Sequence, residues 1–387
     1  MNLSKLSFSA FSRVNFSAST FPEPKPRVPL PNLRRQVFIQ TESVLPVRLS
    51  EKDAEGMPSA AEIRRLKQAH FKQWLDQFAP SERRTALLFL EKLRIIGPAE
   101  LNFHLRQAHQ KLSTAMATDG FPSDLSKTDF TTLYQASSGD LIAYHYRKTN
   151  RIPKVHFYDQ AALASNGQNK SDRALVILDD YLATGAQFFC EALGHGKTLP
   201  HDQNRHIADL VSQYRNVYFV VAGVHTKALK RFELIEAGKT EEAIGEILEG
   251  YKEKGNPAYE TPIRKVLGTI PAGKMKLLYS FVERPLLSQD NPRVNAEERE
   301  RLRAFLQKHN VYKYPFGVGG LQGNTVFYYS APNNLPDMLW NTKSRRLHPD
   351  GSQDKTAHWR PLFHRLEDVS AYWYAHAHKL PAEQQLW

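Results

Sequence analysis

The clearest signal in the hydrophobic pattern is a set of short apolar runs separated by helical stretches in the middle of the chain. The runs at 174–178 and 217–224 contain no charged residue, as expected for strands buried on both faces. Runs that mix apolar with polar residues predict further strands at 131–135, 155–158 and 276–282. Because these strands alternate with helical segments, the pattern predicts a parallel sheet in an α/β fold.

Helical patterns dominate the chain before this region. Apolar residues recur at three- and four-residue steps over 60–78 and 81–96, and a third helix is predicted over 99–116. The preceding arm has five prolines between positions 21 and 31, which favours extended backbone. Beyond the predicted sheet, aromatic and turn residues without a clear period indicate irregular structure.

These patterns divide the chain into four parts. We expect an extended N-terminal arm at 1–58, a helical cap region at 59–120, an α/β core at 121–310, and an extension packing on that core at 311–387. Within the core, the polar stretch 160–172 is predicted to be a flexible loop. The expected fold class is α/β, a parallel-sheet core with an N-terminal helical region and an irregular C-terminal extension.

Composition narrows the class of protein. The 387 residues are 41% hydrophobic and 24% charged, which is typical of a globular chain and not of a disordered or collagen-like one. The single cysteine, Cys190, excludes an internal disulfide and favours a cytoplasmic protein. Lys and Arg exceed Asp and Glu by 52 − 40 = 12, which favours a polyanionic partner such as nucleic acid or a nucleotide. No apolar run is long enough to cross a membrane, so no membrane partner is expected.

The segment 176–187 carries the candidate chemistry. Its apolar strand is followed by two adjacent carboxylates, Asp179 and Asp180, and then by Thr184 and Gly185. Ligands of parallel α/β sheets bind at the carboxyl ends of strands, and glycine lets backbone amides approach a phosphate. Adjacent carboxylates provide acceptors for ribose hydroxyls and Mg²⁺. The segment therefore predicts a cradle for a phosphorylated ribose, and it has neither a Walker loop nor a G-x-G-x-x-G fingerprint.

This segment resembles the phosphoribosyl pyrophosphate loop of the type I phosphoribosyltransferases, in which an apolar strand, two acids and a Thr-Gly turn follow one another. The resemblance implies a type I phosphoribosyltransferase-like core in which Asp179 and Asp180 bind the ribose hydroxyls and hold Mg²⁺, directly or indirectly. The residues that would bind the 5′-phosphate are Ala183, Thr184, Gly185, Ala186 and Gln187. The family usually has Thr where Gln187 stands, so one phosphate contact differs here.

The same family has a pyrophosphate loop after its first core strand. Ser137, Ser138 and Gly139 stand at that position, at the start of a predicted helix that also carries Arg147 and Lys148. The resemblance implies that these residues bind the diphosphate. Taken alone, Ser-Ser-Gly-Asp is equally an ordinary helix N-cap, so both interpretations stay open. The polar loop at 160–172 would correspond to the family's flexible lid.

A second resemblance extends over the C-terminal region. The strings are Y-P-F-G at 314–317, N-T-V-F-Y-Y at 324–329, A-P-N-N-L-P-D-M-L-W at 331–340 and W-R-P-L-F-H-R at 359–365. They are similar to the closing signature of a divergent phosphoribosyltransferase-like branch of bacterial anti-phage conflict systems, including retrons. This resemblance implies a toxic effector with a reverse transcriptase and nucleic acid as partners. The aromatic residues of the strings by themselves indicate a structural clasp on the core.

Three functions stay open. The first is an enzyme acting at the anomeric carbon of Mg²⁺–phosphoribosyl pyrophosphate or a related ribonucleotide, with Asp179 and Asp180 as its catalytic pair. The second is a catalytically inactive protein that senses nucleotides. The third is a structural subunit of a retron-type nucleoprotein complex. The basic residues at 343–346 fit nucleic-acid contact and equally fit a solvated surface.

Overall fold

The computed structural model separates the chain into two compact units. One unit runs up to Pro98 and resumes at Pro285, and the other spans Ala99–Arg284. The structure describes residues 69–133, 138–185, 188–189, 205–250, 257–268, 270–311, 314–327, 331–332, 334–341, 345–347, 353–359 and 361–363.

The helices of the described ranges, in chain order, are α1 (Arg83–Lys92), α2 (Pro98–Thr118), α3 (Ser138–Asn150), α4 (Gln160–Ser165), α5 (Arg205–Gln213), α6 (Thr226–Glu236), α7 (Thr240–Gly250), α8 (Pro257–Leu267) and α9 (Ala296–Lys308). The strands are β1 (Arg94–Ile96), β2 (Thr128–Thr132), β3 (Ala174–Leu182), β4 (Asn216–His225), β5 (Met275–Glu283), β6 (Thr325–Phe327), β7 (Arg345–Leu347) and β8 (Gln353–His358). No helix in this part of the chain is long and apolar enough to span a membrane.

The unit spanning Ala99–Arg284 is built on a four-stranded parallel sheet. Its strands lie in the order β2-β3-β4-β5, and Leu178 at the middle of the sheet is in register with Thr132 on one side and Val220 on the other. The central strands are apolar because both of their faces are covered, and nine of the ten residues of β4 are buried. The mixed fold with a parallel sheet confirms the expected α/β class.

Helices cover both faces of this sheet. On one face, aromatic rings of β4, α6 and the segment after β3 form the centre of the core, with Phe188 packing on Phe219 at 4.9 Å and on Phe232 at 5.6 Å. On the other face, Tyr146 of α3 lies beside Phe130 of β2. This two-sided cover leaves the ends of the strands as the places where a ligand can approach.

The amino-terminal edge of the sheet is held by buried polar networks. Arg173 donates two hydrogen bonds to the carboxylate of Asp129, at 2.8 and 2.6 Å, and the Tyr214 hydroxyl donates to the same carboxylate at 2.7 Å. A second carboxylate, Asp119, accepts from the Tyr218 hydroxyl at 2.5 Å and from other groups of the same edge. Because these groups satisfy one another, this edge has a structural role.

The other unit contains the C-terminal strings. It pairs β1 with β6 in parallel and β7 with β8 antiparallel. Trp340, Trp359 and Phe363 are buried in its hydrophobic core, and the buried carboxylate of Asp337 accepts hydrogen bonds from two backbone amides at 3.3 and 3.0 Å. Gly317 has a φ of 78° and lies so close to the Asn334 carbonyl that a Cβ would overlap it. The aromatic residues of the strings are thus anchors in the core of their own unit, which also contains Phe71 and Trp74.

Three local predictions were wrong. Residues 155–158 do not form a strand, because Pro153 precedes a 3-10 helix at Lys154–His156 and only Phe157 bridges to β2. The segment 160–172 is not entirely loop, because Asp159 caps α4 by accepting from Ala162 at 2.6 Å. The helix predicted over 81–96 ends at Lys92, and its last residues form β1.

Candidate functional site

Asp179 and Asp180 lie inside β3, not after it. The strand was predicted to end at Leu178, but it continues to Leu182. Asp179 Oδ1 accepts a hydrogen bond from the Asp180 amide at 2.9 Å, and Asp180 Oδ1 accepts from the Tyr181 amide at 2.7 Å. Each carboxylate is thus fixed by the amide that follows it, at the carboxyl end of the strand.

The two carboxylates differ in burial. Asp179 is 5% exposed, whereas Asp180 is partly exposed. Burial raises the pKa of the Asp179 carboxyl well above its usual range, and the neighbouring charge of Asp180 raises it further. Asp180 is therefore the more accessible carboxylate of the two.

A tight turn follows the strand at Ala183, Thr184 and Gly185. Gly185 has a φ of 76°, and a Cβ at this position would lie 2.7 Å from the ring of Phe189. The Phe189 amide donates to the Gly185 carbonyl at 2.8 Å, and the Phe189 ring is buried in the core. The turn is thereby anchored, and only glycine fits its sharpest point. Ala186, Gln187 and Cys190 lie outside the described residues.

Arg231 of α6 holds the same turn from inside the protein. Its side chain is 3% exposed, and its guanidinium donates to the Thr184 carbonyl and, at 2.8 Å, to the Glu246 carbonyl of α7. In a planar trans peptide the C=O and N–H bonds point in opposite directions. The Thr184 carbonyl points to Arg231, so the Gly185 N–H points away from it. This is a fixed amide donor of the kind that binds anions.

The start of α3 lies at the same edge of the sheet. Ser138 and Gly139 are the first two residues of α3, which follows β2, the parallel neighbour of β3. The chain leaving β2 is fixed by Gln160, whose side-chain amide donates to the carbonyls of Thr132 and Leu133 at 2.8 Å each. A helix N-terminus at this edge of the sheet carries a partial positive charge. Ser137 lies outside the described residues.

The structure does not bring Arg147 and Lys148 to the start of α3. Both lie in the last turn of that helix, about 14 Å along its axis from Ser138 at 1.5 Å per residue. They lie instead beside the ring of Tyr144, at 6.0 and 5.9 Å. Arg147 and Lys148 therefore lie apart from the groups assembled at this edge of the sheet.

A second polar group at this edge was missed by the sequence analysis. The Tyr181 hydroxyl donates to Glu283 at the end of β5, although β4 lies between the two strands. Tyr181 can cross β4 because the intervening residue is Gly223, where a Cβ would overlap the Phe281 ring. His225, which ends β4 beside Glu283, accepts from the Lys227 amide at 3.2 Å and caps α6. The available signal was a Glu and a His directly after two predicted strands.

The oxygen atoms at this edge fit a magnesium ion only if a bound ligand supplies further oxygen atoms. Among the described residues there is no group of three or more His, Cys, Asp or Glu side chains that could hold a metal. Mg²⁺ is commonly held by one or two carboxylates, with substrate phosphates and water completing six oxygen ligands. Asp180, the partly exposed carboxylate of the pair, is compatible with that kind of site, whereas Asp179 is buried in the core.

Comparison with known proteins identifies one family. A family model described as PRTase-CE matches residues 71–365. The matched span contains the carboxylates of β3, the glycine turn after it and the C-terminal strings. No curated protein and no solved structure matches the chain.

Proposed function

The chain belongs to the PRTase-CE family, and on that premise we propose that its phosphoribosyltransferase-like domain binds Mg²⁺–phosphoribosyl pyrophosphate or a related ribonucleotide at the carboxyl edge of β2 and β3. The family supports a function of the phosphoribosyl-transfer type. One observation supports this ligand most directly. A carboxylate pair at the end of β3 is followed by a glycine turn, and a buried arginine orients the amide of that turn.

The proposed roles follow from the position of each group. Asp180 accepts hydrogen bonds from the ribose hydroxyls, because it is the more exposed carboxylate. The turn 183–187 receives the 5′-phosphate, with the Gly185 amide as one donor. The start of α3, at Ser138 and Gly139, receives the diphosphate. Asp179 supports the site from the core by fixing the Asp180 amide.

These positions suit substitution at the anomeric carbon. Such a reaction builds positive charge on the ribose and negative charge on the departing diphosphate, so the protein acts by holding both parts in place and by donating to the leaving oxygens. Mg²⁺ bound by Asp180 and the diphosphate would supply further positive charge for the leaving group. The acceptor can be water or a second substrate; the same cradle serves cleavage and transfer.

The test is calorimetric titration of Mg²⁺–phosphoribosyl pyrophosphate into wild type and into Asp180→Asn. We expect the variant to lose at least about tenfold in affinity, because a hydrogen bond to a charged group contributes about 1.5–3 kcal/mol. The matched control is Asp209→Asn, at an exposed aspartate of α5, which should bind as wild type does. Absence of binding to wild type contradicts the proposed ligand, and unchanged binding to Asp180→Asn contradicts the assigned residue.

At the level of the cell, we propose an effector of bacterial anti-phage defence that depletes or modifies a host nucleotide. Support comes from the C-terminal strings, which lie within the matched span and form the clasp of their unit. The alternative is a catalytically inactive sensor or structural subunit of a retron-type nucleoprotein complex. Plaque counts on cells carrying the protein with its neighbouring genes separate the two. Protection that Asp180→Asn abolishes supports a role that requires the ligand, and consumption of the nucleotide in infected cells then identifies the effector and not the sensor. Protection that survives Asp180→Asn supports the structural subunit.

A further inference from the structure

The outward side of α3 carries a run of cations that the ribose-phosphate site does not use. Arg147 and Lys148 are three and four residues after Tyr144, so these three side chains lie on one side of the helix, and Arg151 directly follows its last residue, Asn150. Lys148 and Arg151 are exposed and the other two are partly exposed. Lys154 follows within about 11 Å of Arg151, the length of three extended residues, and is also exposed. We call these five residues the basic face.

Acidic residues are missing from this part of the sequence. The stretch 141–158 contains four Lys and Arg residues, two His and no Asp or Glu. Within the described ranges, no carboxylate lies at ion-pairing distance from the four cations of the basic face. Their aromatic neighbour is Tyr144, whose ring lies 6.0 Å from the Arg147 guanidinium and 5.9 Å from the Lys148 ammonium. The face therefore presents uncompensated positive charge around one aromatic ring.

The backbone at Arg151 gives an independent indication that this side chain has a use. Arg151 directly follows α3, and its backbone is in the left-handed region with a φ of 56°. The next residue closes the turn, because the Ile152 amide donates to the Arg147 carbonyl at 3.0 Å. This is the position after a helix where glycine is preferred, because any Cβ is strained there. An arginine at a glycine position is unfavourable for folding, which points to binding as the reason for it.

We propose that the basic face binds single-stranded nucleic acid, with its cations on successive phosphates and Tyr144 stacking on a base. Cations interleaved with an aromatic ring are the usual composition of such surfaces. A helix that lies on a membrane needs apolar side chains directed at the lipid, but the apolar residues Ile142 and Tyr146 of α3 are buried in the core. The proposal is independent of the ribose-phosphate site, since it involves neither β3 nor the start of α3.

The test measures fluorescence anisotropy of labelled 20-nucleotide single strands, DNA and RNA, against the full chain at several KCl concentrations. The variant is Lys148→Gln with Arg151→Gln. Each lost phosphate contact lowers the slope of log K against log salt by about 0.7, or about fivefold in affinity at 0.1 M salt. We therefore expect a slope reduced by about 1.4 and binding about twentyfold weaker.

The matched control removes the same charge from another helix, through Arg301→Gln with Arg303→Gln on the exposed side of α9. It should change affinity by no more than about twofold. Equal losses in the two double variants would mean a general effect of net charge and would overturn the proposal. Absence of binding to wild type, or loss of binding to anionic phosphatidylserine vesicles but not to the oligonucleotides, would overturn it too.

A single substitution separates binding from folding. Arg151→Gly removes the cation and relieves the left-handed strain, so its thermal midpoint should equal or exceed that of wild type, while its affinity for the oligonucleotide falls about fivefold. Wild-type affinity in this variant would show that the arginine has no part in binding. Because stability and binding are expected to move in opposite directions, misfolding cannot imitate the expected result.

Discussion

Asp179 and Asp180 are adjacent and chemically identical, but the strand turns their side chains to opposite faces of the sheet. Asp179 is thereby buried, and its pKa is raised by burial and then by the charge of its neighbour. Asp180 keeps partial exposure. The two carboxyls therefore differ in environment. Asp179 holds the Asp180 amide from the core, and Asp180 lies on the partly exposed side, where we propose that the ligand binds.

At the glycine turn, we predict that Gly185→Ala lowers the free energy of unfolding by about 2–5 kcal/mol. A left-handed backbone costs an L-residue about 1–2 kcal/mol, and the new Cβ would press on the Phe189 ring, which adds about 1–3 kcal/mol. Urea unfolding measures the change. The control is Gly167→Ala, at a φ of 60° with no atom within 4 Å of the added Cβ, so it reports the backbone strain alone. Equal losses at the two glycines would mean that Phe189 does not constrain the turn.

At Arg231, we predict that Arg231→Met weakens binding of ribose 5-phosphate about tenfold while leaving free ribose unaffected. The guanidinium orients the Thr184–Gly185 peptide, and loss of a charged hydrogen bond of about 1.5–3 kcal/mol corresponds to about tenfold. Titrations followed by NMR give both constants, and ³¹P shifts report the bound phosphate. Arg231→Lys, which keeps one donor, should recover part of the affinity. Parallel losses for both ligands would indicate general damage to the fold and not a role in phosphate binding.

At the scale of elements, Gly223 lets two strands interact across a third. It lies between Tyr181 and Phe281 in the register of the sheet, and the two rings are stacked at 6.5 Å over it. The hydrogen bond from Tyr181 to Glu283 depends on the absence of a side chain at Gly223. The carboxyl ends of β3 and β5 are therefore coupled through a residue that has no side chain of its own.

From this we predict that Gly223→Ala destabilises the protein by about 1–3 kcal/mol, the usual cost of overpacking. Phe281→Ala in the same chain removes the ring that the new methyl group meets. The double variant should then be more stable than the sum of the two single changes implies, which a double-mutant cycle of urea unfolding measures. Strict additivity would show that the ring and Gly223 are not in contact.

The elements also show what the sequence can predict. Continuous apolar runs gave the positions of β3 and β4 to within a few residues, because burial on both faces leaves a direct trace in composition. The edge strand β5 was found from a mixed run, since it is only partly buried. The strand prediction at 155–158 failed because a four-residue run with three apolar residues does not determine whether a neighbouring strand pairs with it. The turn at Gly185 was visible as a local motif. Arg231 was not, since it reaches Thr184 from 47 positions along the chain.

At the scale of the whole molecule, the chain consists of two units, each with its own hydrophobic core. The family match covers most of both, from residue 71 to residue 365. The shared pattern is therefore larger than a ribose-phosphate sheet. It includes the aromatic clasp around Asp337, where buried amide contacts and the glycine at 317 leave little freedom for substitution. The family model therefore extends over residues of both units.

Stability of the whole molecule should fall on mild acidification, and two histidines account for part of that fall. His109 of α2 shares a 2.7 Å hydrogen bond with the Tyr146 hydroxyl, and His145 of α3 one of 3.1 Å with Asn102. Burial lowers the pKa of both imidazoles from 6.5. Below about pH 6.5 the unfolded chain then binds more protons than the folded one, so the free energy of unfolding decreases as the pH falls.

We predict that the urea midpoint of wild type drops between pH 7.5 and pH 5.5, and that His109→Gln with His145→Gln drops less over the same interval. Carboxylates with ordinary pKa values near 4 contribute little in this window. The raised pKa of Asp179 acts in the opposite direction, but it is common to wild type and the variants and so does not affect their difference. His156→Gln, on the partly exposed 3-10 helix, serves as the control and should follow the wild-type curve. A double variant that loses as much stability as wild type would show that the two imidazoles are protonated without cost in the folded state. Burial would then not lower the pKa of these two histidines below the value of a histidine in water.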